Sequence, residues 1–232
     1  MPLKKWIKSA NNAINGIIEA ARTERHLRYH FYSAILVFIC SLILDINRYD
    51  FLAISIIIII VLLAEMINTS IEYVVDLITE EYNVKAKAAK DVAAGAVLVT
   101  AAGAVVIGYL ILFPYLKDFV RRGIRIAHHG SENIAMVAIV ITIIIVIITK
   151  AYFKSGQPLR GGMPSGHAAV AFSIWMTVTL VSKTFLSSLL VFILAVVIAY
   201  SRVSHGIHRP IEVVVGALLG TSITYLLFLL FT

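Results

Sequence analysis

One short stretch of the sequence places three carboxylates on a single face of an apolar helix. Glu65, Glu72 and Asp76 are spaced by seven and four residues, and they follow a run without charge, 51–64. At helical spacing the three acids share one side, with Asn68 between them. A charged group at the centre of a bilayer costs roughly 2.5–3.5 kcal/mol, so these acids must face a partner, a cation or water. The spacing indicates a functional site, and a polar seam between helices is the alternative.

A second set of reactive residues lies in the loops of the C-terminal half. Pro164-Ser165-Gly166-His167 forms one motif, and a later motif contains Arg202, His208 and Glu212. Two more cations, Lys154 and Arg160, precede them. Fixed cations and the backbone N–H groups at a helix start can hold a phosphate without a metal. His205 is the competing histidine in the later motif, although the five residues between Arg202 and His208 favour His208.

Composition restricts the class of protein. The chain has 232 residues, of which 60% are hydrophobic and only 14% charged, whereas soluble domains average about 25% charged residues. This predicts an all-α integral membrane protein with several spans. The net charge of +7 indicates cytoplasmic flanks and anionic lipid headgroups rather than nucleic acid, because no basic cluster is interleaved with aromatic residues. Cys40 is the single cysteine, which excludes a disulfide framework.

The hydrophobic pattern predicts an amphipathic N-terminal helix followed by seven spans. Trp6, Ala10, Ile14 and Ala21 recur at helical spacing in a basic segment, which indicates a helix in the cytoplasmic interface. The spans are predicted at 29–44, 51–78, 91–113, 134–149, a fifth ending near 181, 185–200 and a last one ending at 231. Pro114 is expected to end the third span. The basic segment that follows is expected to be a linker or an interfacial helix.

The first half of the sequence resembles a known family of membrane kinases. Gly16 and Glu24 precede the acidic face, and the Glu81-Tyr82-Asn83 turn and Lys90-Asp91 follow it. In order and spacing these residues strongly resemble the prokaryotic diacylglycerol kinase family, which includes the undecaprenol kinases, from residue 1 to about 114. The resemblance implies a homotrimer of three-span subunits with an amphipathic N-terminal helix. It also implies an active site at the cytoplasmic membrane surface that is shared between subunits.

The kinase resemblance assigns a role to each matching residue. Glu65 corresponds to the catalytic base, with Asn68 and Asp76 in the same signature. Glu24 and Glu72 correspond to the ligands of the Mg²⁺ ions that carry ATP. The residues that correspond to nucleotide contacts are Lys5, Glu81, Tyr82, Asn83, Lys90 and Asp91. The chemistry is consistent with these roles, because a lipid hydroxyl needs a base and the transferred phosphoryl group needs Mg²⁺ and a lysine.

The second half, from about 134 to 232, resembles the type 2 phosphatidic acid phosphatase family. This resemblance implies that His208 attacks phosphorus and becomes phosphohistidine, that Glu212 orients it, and that His167 protonates the leaving group. It implies phosphate binding by Lys154, Arg160, Ser165, Gly166 and Arg202, with no metal cofactor. The sequence departs from the family in having Gly161 after Arg160, one residue fewer in the first motif, Glu212 in place of Asp, and four spans instead of six.

Together these features predict a bifunctional enzyme of lipid phosphates. Residues 1–116 are expected to form an ATP- and Mg²⁺-dependent kinase domain for undecaprenol or diacylglycerol. Residues 117–133 are expected to form a basic linker, and residues 134–232 a lipid phosphate phosphatase domain. The expected location is the cytoplasmic (inner) membrane, and counting spans puts both sites on its cytoplasmic face. Two alternatives are a C-terminal half that only binds lipid phosphate, and a cation-binding transporter.

Overall fold

The fold is a set of membrane helices. The computed structural model describes residues 2–79, 81–122, 130–153 and 162–232, and within these ranges all regular structure is α-helical. The helices are α1 (Pro2–Thr23), α2 (Arg25–Ile43), α3 (Arg48–Ile78), α4 (Val84–Arg122), α5 (Ser131–Phe153), α6 (Gly166–Ser182), α7 (Phe185–Ser204) and α8 (Pro210–Phe231). Among the described residues, six helices are long and apolar enough to cross a membrane, and α6 is a shorter apolar helix. The predicted all-α integral membrane fold is therefore confirmed.

The helices pack as two compact units. The central unit consists of the described residues from 24 to 122 and contains α2, α3 and α4. The terminal unit consists of the described residues from 2 to 23 and from 130 to 232, so that α1 packs together with α5, α6, α7 and α8. Each unit positions its own set of the reactive residues singled out in the sequence.

The core of the central unit is the face of α2 that packs on α3. Leu27, Phe31, Ala34 and Phe38 are buried on this face, at the spacing of an amphipathic helix. In contrast, the most apolar stretch of α4 contains no residue that is buried within the chain. The exposed surface of α4 is therefore available to lipid or to another subunit.

The structure corrects the prediction that the third span ends at Pro114, because α4 continues through this residue to Arg122. Transmembrane helices tolerate a proline where neighbouring groups hold the chain in place. Here the hydroxyl of Tyr115 donates a hydrogen bond to Asp50 Oδ2 at 2.6 Å and accepts one from Asn47 Nδ2 at 2.7 Å. Asn47 also caps the start of α3. These bonds hold the segment after the proline against the adjacent helix.

The terminal unit is built around the contact between α6 and α8. Gly216 and Gly220 of α8 lie against the backbone of α6. A Cβ atom added to Gly220 would lie 1.9 Å from the carbonyl oxygen of Ala169, and one added to Gly216 would lie 2.4 Å from that of Ser165. Small residues allow membrane helices to approach this closely. The two glycines therefore fix the position of the segment that begins α6, which contains His167.

Polar side chains also join the helices of the terminal unit. The hydroxyl groups of Ser173 on α6 and Thr224 on α8 are hydrogen-bonded at 2.7 Å and fully buried. The hydroxyl groups of Thr179 on α6 and Ser188 on α7 are also 2.7 Å apart. Interhelical hydrogen bonds of this kind stabilise membrane bundles by about 0.6–2 kcal/mol each.

Helix α1 packs on α5, through the second half of its apolar face. Ile18 and Ala21 are buried, whereas Trp6 near the start of the helix is 69% exposed. The apolar face predicted for this helix therefore has two environments, one buried against α5 and one exposed. The end of α1 is a component of the terminal unit, and its beginning exposes an aromatic side chain of the kind found at membrane interfaces.

We expect Gly220→Ala to destabilise the terminal unit, because the added methyl group meets backbone atoms of α6 that cannot rotate away. Overpacking of this kind costs about 1–3 kcal/mol. The midpoint of thermal unfolding in detergent, followed by tryptophan fluorescence, should fall clearly. Gly130→Ala, just before α5 in the same unit, is the matched control, because its new methyl group meets nothing within 4 Å. Equal unfolding midpoints for the two variants would show that α6 and α8 are not in close contact.

Candidate active sites

The first candidate site lies on α3 in the central unit. Glu65 is 4% exposed and Asn68 is 9% exposed, so these members of the polar face are buried in the protein. Asn68 Nδ2 donates a hydrogen bond to Glu72 Oε1 at 2.8 Å. The hydroxyl of Thr69 donates to the backbone oxygen of Glu65 at 3.0 Å and so is satisfied within its own helix. Glu65 and Asn68 therefore form the buried part of this face, and the hydrogen bond from Asn68 holds the half-buried Glu72 beside them.

The start of α2 adds another carboxylate to this site. Glu24 is the N-cap residue of α2, and the charges of Glu24, Glu72 and His26 all act on Glu65. The structure thus brings together the three carboxylates that the sequence analysis assigned to the base and to the metal ligands. Three acids beside one imidazole leave an excess of negative charge, which a bound cation can offset.

The donor atoms of this cluster fit a magnesium ion that is shared with phosphate. They are carboxylate and amide oxygens, the ligands that Mg²⁺ prefers, and Asn68 Oδ1 is a buried oxygen with no hydrogen-bond partner. Among the described residues, no group of three or more His, Cys, Asp or Glu side chains has the arrangement of a complete metal site. Mg²⁺ in kinase sites takes one or two protein carboxylates and completes its shell with phosphate and water.

Lys90 connects α4 to the acidic face of α3. Its Nζ lies 2.5 Å from Asp76 Oδ1, at the edge of a cavity of about 250 Å³. The polar residues that line this cavity are Asp76, Thr79, Glu81, Tyr82, Asn83, Lys87 and Lys90. Most of the predicted nucleotide contacts, namely Glu81, Tyr82, Asn83 and Lys90, therefore line one cavity.

Two of the predicted nucleotide contacts are placed elsewhere. Asp91 does not line the cavity, and its Oδ2 accepts from Lys87 Nζ at 2.5 Å on the exposed surface. Lys5 has an exposed side chain on α1, which belongs to the terminal unit. Their roles in nucleotide binding remain predictions.

An apolar cavity of about 460 Å³ lies between α2, α3 and α4. Its lining includes Ile54, Ile58 and Val61 of α3 and Ala34 of α2. Val61 is one helical turn before Glu65 and on the same face. A hydrocarbon chain in this cavity would therefore lead toward the buried carboxylate.

The second candidate site lies where α7, α8 and the start of α6 meet in the terminal unit. His208 is 6% exposed, and its Nδ1 is 2.7 Å from Glu212 Oε2. The same carboxylate accepts hydrogen bonds from the backbone N–H groups of Arg209, at 3.2 Å, and of Gly162. With Nδ1–H donated to Glu212, the Nε2 atom of His208 retains its lone pair.

Burial lowers the pKa of His208 below the ordinary histidine value, and the nearby charges of Lys150 and Arg202 lower it further. The hydrogen bond to Glu212 acts in the opposite direction but does not reverse the shift. The imidazole of His208 is therefore neutral at neutral pH. A neutral ring with a free Nε2 lone pair is the form that can act as a nucleophile.

Several cations and donors surround His208. The charges of Lys150, Arg202 and His208 all act on His167, which places these four residues in one cluster. Ser165 Oγ and Arg202 Nε are buried without a hydrogen-bond partner. Ser165 is also the N-cap residue of α6, so the first N–H groups of that helix face the same region. Unpaired donors near a helix start form a suitable site for a phosphate.

A backbone hydrogen bond connects Ser165, at the start of α6, to this site. The N–H of Ser165 donates to the carbonyl oxygen of Glu212 at 2.9 Å, and Gly166 follows as the first residue of α6. Lys154 and Arg160, the other predicted phosphate ligands, lie outside the described residues. In contrast to His208, the competing His205 is exposed, and its Nδ1 lies 2.7 Å from the carbonyl oxygen of Ser201.

The sequence analysis did not identify Lys150 as a site residue. Lys150 is 5% exposed in the last turns of α5, and its charge acts on Glu212, His167 and His208. The available signal was its position, since Lys150 directly follows the apolar span predicted at 134–149 and so lies at the end of a membrane helix. A lysine is rarely buried there unless it has a function or a partner.

Comparison with known proteins supports two different relationships for the two halves. The family model of prokaryotic diacylglycerol kinase matches residues 11–112, and the model of the PAP2 superfamily matches residues 146–232. Undecaprenol kinase of Bacillus subtilis is 42% identical over 114 residues, which are 49% of this chain and 93% of that protein. Diacylglycerol kinase of Synechocystis is 35% identical over 124 residues, which are 50% of this chain and 71% of that protein.

The C-terminal half has a relative that it matches over a smaller share of both proteins. Undecaprenyl-diphosphatase of Sulfolobus acidocaldarius is 35% identical over 79 residues, which are 34% of this chain and 38% of that protein. No solved structure matches the chain significantly.

The helical bundles and their polar sites define a multi-pass membrane enzyme that acts on lipids. The chain belongs to the prokaryotic diacylglycerol kinase family through its N-terminal half, and its C-terminal half matches the PAP2 superfamily. Both predicted resemblances are thereby confirmed. The protein combines a lipid kinase domain with a phosphatase domain.

Proposed function

We propose that the central unit transfers the γ-phosphoryl group of ATP to the hydroxyl of a membrane lipid alcohol, and that the terminal unit hydrolyses a lipid phosphate through phosphohistidine. The observation that carries the first activity is a buried Glu65 among oxygen donors, one turn beyond an apolar cavity. The observation that carries the second is the 2.7 Å contact between His208 and Glu212, which leaves His208 Nε2 available.

In the kinase reaction, Glu65 is the general base. Its carboxylate takes the proton of the lipid hydroxyl, the hydroxyl oxygen bonds to the γ-phosphorus, and the bond to the β-phosphate oxygen breaks to release ADP. A lipid hydroxyl is a weak nucleophile near neutral pH, and a positioned base contributes about 10²–10⁴-fold to such a step. The buried position of Glu65 keeps competing water away from the reacting hydroxyl.

Glu24 and Glu72 would hold Mg²⁺, and Asn68 keeps Glu72 in place through its amide hydrogen bond. When bound with ATP, Mg²⁺ neutralises charge on the phosphate oxygens during transfer. Lys90, held by Asp76, provides a fixed cation for the same oxygens. The remaining nucleotide contacts are Glu81, Tyr82 and Asn83 at the polar cavity and Asp91 outside it. Lys5 stays a predicted contact that rests on the kinase resemblance alone.

The lipid alcohol that we propose is undecaprenol, with diacylglycerol as the alternative. The Bacillus subtilis relative, which this chain covers almost completely, is named for undecaprenol. A long isoprenoid chain suits the apolar cavity between α2, α3 and α4, whose walls are aliphatic side chains. Its terminal hydroxyl would then lie near Glu65.

We also propose that the kinase half assembles as a homotrimer in the cytoplasmic membrane. The exposed apolar surface of α4 supports this, because small residues such as Gly95 and Gly103 allow another helix to approach. Because ATP is available in the cytoplasm, we propose that the Glu65 site faces that side. The count of predicted spans favours the same side for the His208 site.

In the phosphatase reaction, His208 is the nucleophile and needs no metal. Its Nε2 bonds to phosphorus as the bond to the lipid oxygen breaks, and His167 gives that oxygen its proton. Water then attacks the phosphohistidine, His167 takes a proton from the water, and inorganic phosphate leaves. Glu212 accepts a hydrogen bond from Nδ1–H of His208 and thereby stabilises the positive charge that the ring acquires when Nε2 bonds to phosphorus.

The phosphate oxygens of the lipid are held by fixed donors. Lys150, Arg202 and Ser165 surround the site, and the N–H groups at the start of α6 add to them. Lys154 and Arg160 are further predicted ligands. The negative charge of a bound phosphate favours the protonated form of His167, which the leaving lipid oxygen requires.

We expect Glu65→Gln to lower kcat for lipid phosphorylation at least about 100-fold, because the amide cannot accept the hydroxyl proton. The assay is Mg²⁺-dependent transfer of radiolabel from ATP to undecaprenol by the full chain in detergent micelles. Glu132→Gln on α5 is the matched control, and it should change kcat less than twofold. An unchanged kcat in Glu65→Gln would remove Glu65 from the role of base.

We expect His208→Ala to abolish the phosphoenzyme that forms from a radiolabelled polyprenyl phosphate, whereas His205→Ala should be labelled as well as wild type. The quench is alkaline, because phosphohistidine hydrolyses in acid. Because burial lowers the pKa of His208, its ring is already mostly neutral at pH 6.5, the ordinary pKa of histidine. Labelling should therefore be retained at that pH and be lost on further acidification. Full labelling of His208→Ala would assign the nucleophile to another residue.

A further inference from the structure

An apolar cavity of about 440 Å³ opens beside the histidine site of the terminal unit. Lys150, His167 and His208 lie at one part of its lining. Aliphatic side chains of α5, α6 and α7 form most of the rest. This volume lies within the usual range of ligand pockets, about 300–1,000 Å³.

The remaining wall of this cavity is α1. Ile14, Ile17 and Ile18 all line it. Ile18 is 2% exposed and anchors the helix, whereas Ile14 is 40% exposed and lies nearer the open side. These residues recur at the three- and four-residue spacing of one helix face. The apolar face of α1 is therefore part of the cavity and does not only cover the surface of α5.

The same helix also reaches the polar end of the cavity. Arg22, in the last turn of α1, is close enough to Lys150 for the two positive charges to act on each other. A cavity with cations at one end and hydrocarbon walls elsewhere is complementary to an amphiphile with an anionic head and an apolar chain. The charge pattern therefore selects a lipid phosphate as the occupant.

We propose that α1 is the chain-binding wall of the phosphatase site, with Ile14 and Ile17 in contact with the hydrocarbon carbons that follow the lipid phosphate. This inference rests on the proposed phosphatase function and adds the part of the substrate that α1 recognises. Residues 11–23 of α1 fall within the match to the kinase family. A segment of kinase-family sequence thus helps to determine which phosphates the other half accepts.

The phosphatase site should prefer phosphate esters that carry a hydrocarbon chain, because an ester without one leaves the apolar part of this cavity unfilled. Each carbon that packs against α1 adds van der Waals contacts, and several carbons together should change the specificity constant at least about tenfold. A phosphate ester without a chain can reach Lys150 and His208 but gains none of these contacts. The site should therefore distinguish esters by their chain.

The experiment compares two esters on the full chain in detergent. Farnesyl phosphate carries an isoprenoid chain, and p-nitrophenyl phosphate carries none. Ile17→Trp fills the cavity next to the histidines. We expect it to lower kcat/KM for farnesyl phosphate at least about tenfold while changing that for p-nitrophenyl phosphate less than threefold. Asn12→Trp, on the exposed side of α1 away from Ile14, is the matched control and should affect neither ester.

Ile14→Trp is the second variant, because its more exposed position accepts a larger side chain without disturbing the fold. It should show the same split between the two esters. An equal loss for both esters, or no loss for either in both variants, would overturn the assignment of α1 as the chain-binding wall. If the wild-type protein hydrolyses neither ester, the proposed phosphatase function and this inference both fail. If it hydrolyses both but the variants show no split, only this inference fails.

Discussion

Both sites depend on the same constraint, which is that an ionised side chain near the apolar part of a membrane helix must be held by specific partners. In the terminal unit, the Glu212 carboxylate accepts from His208 and from the backbone N–H groups of Arg209 and Gly162. Its backbone oxygen accepts from Ser165. One residue thus joins the end of α7, the start of α8 and the loop before α6.

The central unit meets this constraint in a different way. Asn68 and Lys90 hold Glu72 and Asp76, but Glu24 and Glu65 add further acid without an equal number of bases beside them. The remaining negative charge suits a site that is completed by a cation and a nucleotide. The two sites therefore differ, since the first presents a buried oxygen without a hydrogen-bond partner, Asn68 Oδ1, and the second presents buried donors without one, Ser165 Oγ and Arg202 Nε.

Much of this arrangement could be predicted from the sequence because it depends on short spacings. The acids of α3 share a face through helical periodicity, and the pairing of His208 with Glu212 is expected from the resemblance to the phosphatase family. The continuation of α4 past Pro114 could not be predicted, because it depends on Tyr115 meeting Asp50 from a distant part of the chain. Lys150 and the isoleucines of α1 were missed for the same reason, since their roles appear only when α1, α5 and α6 pack together.

The two proposed reactions are opposite in direction. In the proposed kinase reaction ATP and a lipid alcohol give ADP and a lipid phosphate, and in the proposed phosphatase reaction a lipid phosphate and water give back the alcohol and inorganic phosphate. If both act on one lipid, the net reaction is ATP hydrolysis, and the amount of lipid phosphate is set by the ratio of two rates. A chain requirement at α1 would make that ratio depend on the lipid.

The most direct measurement is a time course of radiolabel in the full-length protein reconstituted with undecaprenol and γ-labelled ATP. After a chase with unlabelled ATP, the account predicts that label in the lipid of wild-type protein falls as labelled inorganic phosphate appears. The His208→Ala protein should accumulate labelled lipid that persists through the chase. Labelled lipid that is equally persistent in both proteins would contradict the presence of opposing activities on one chain.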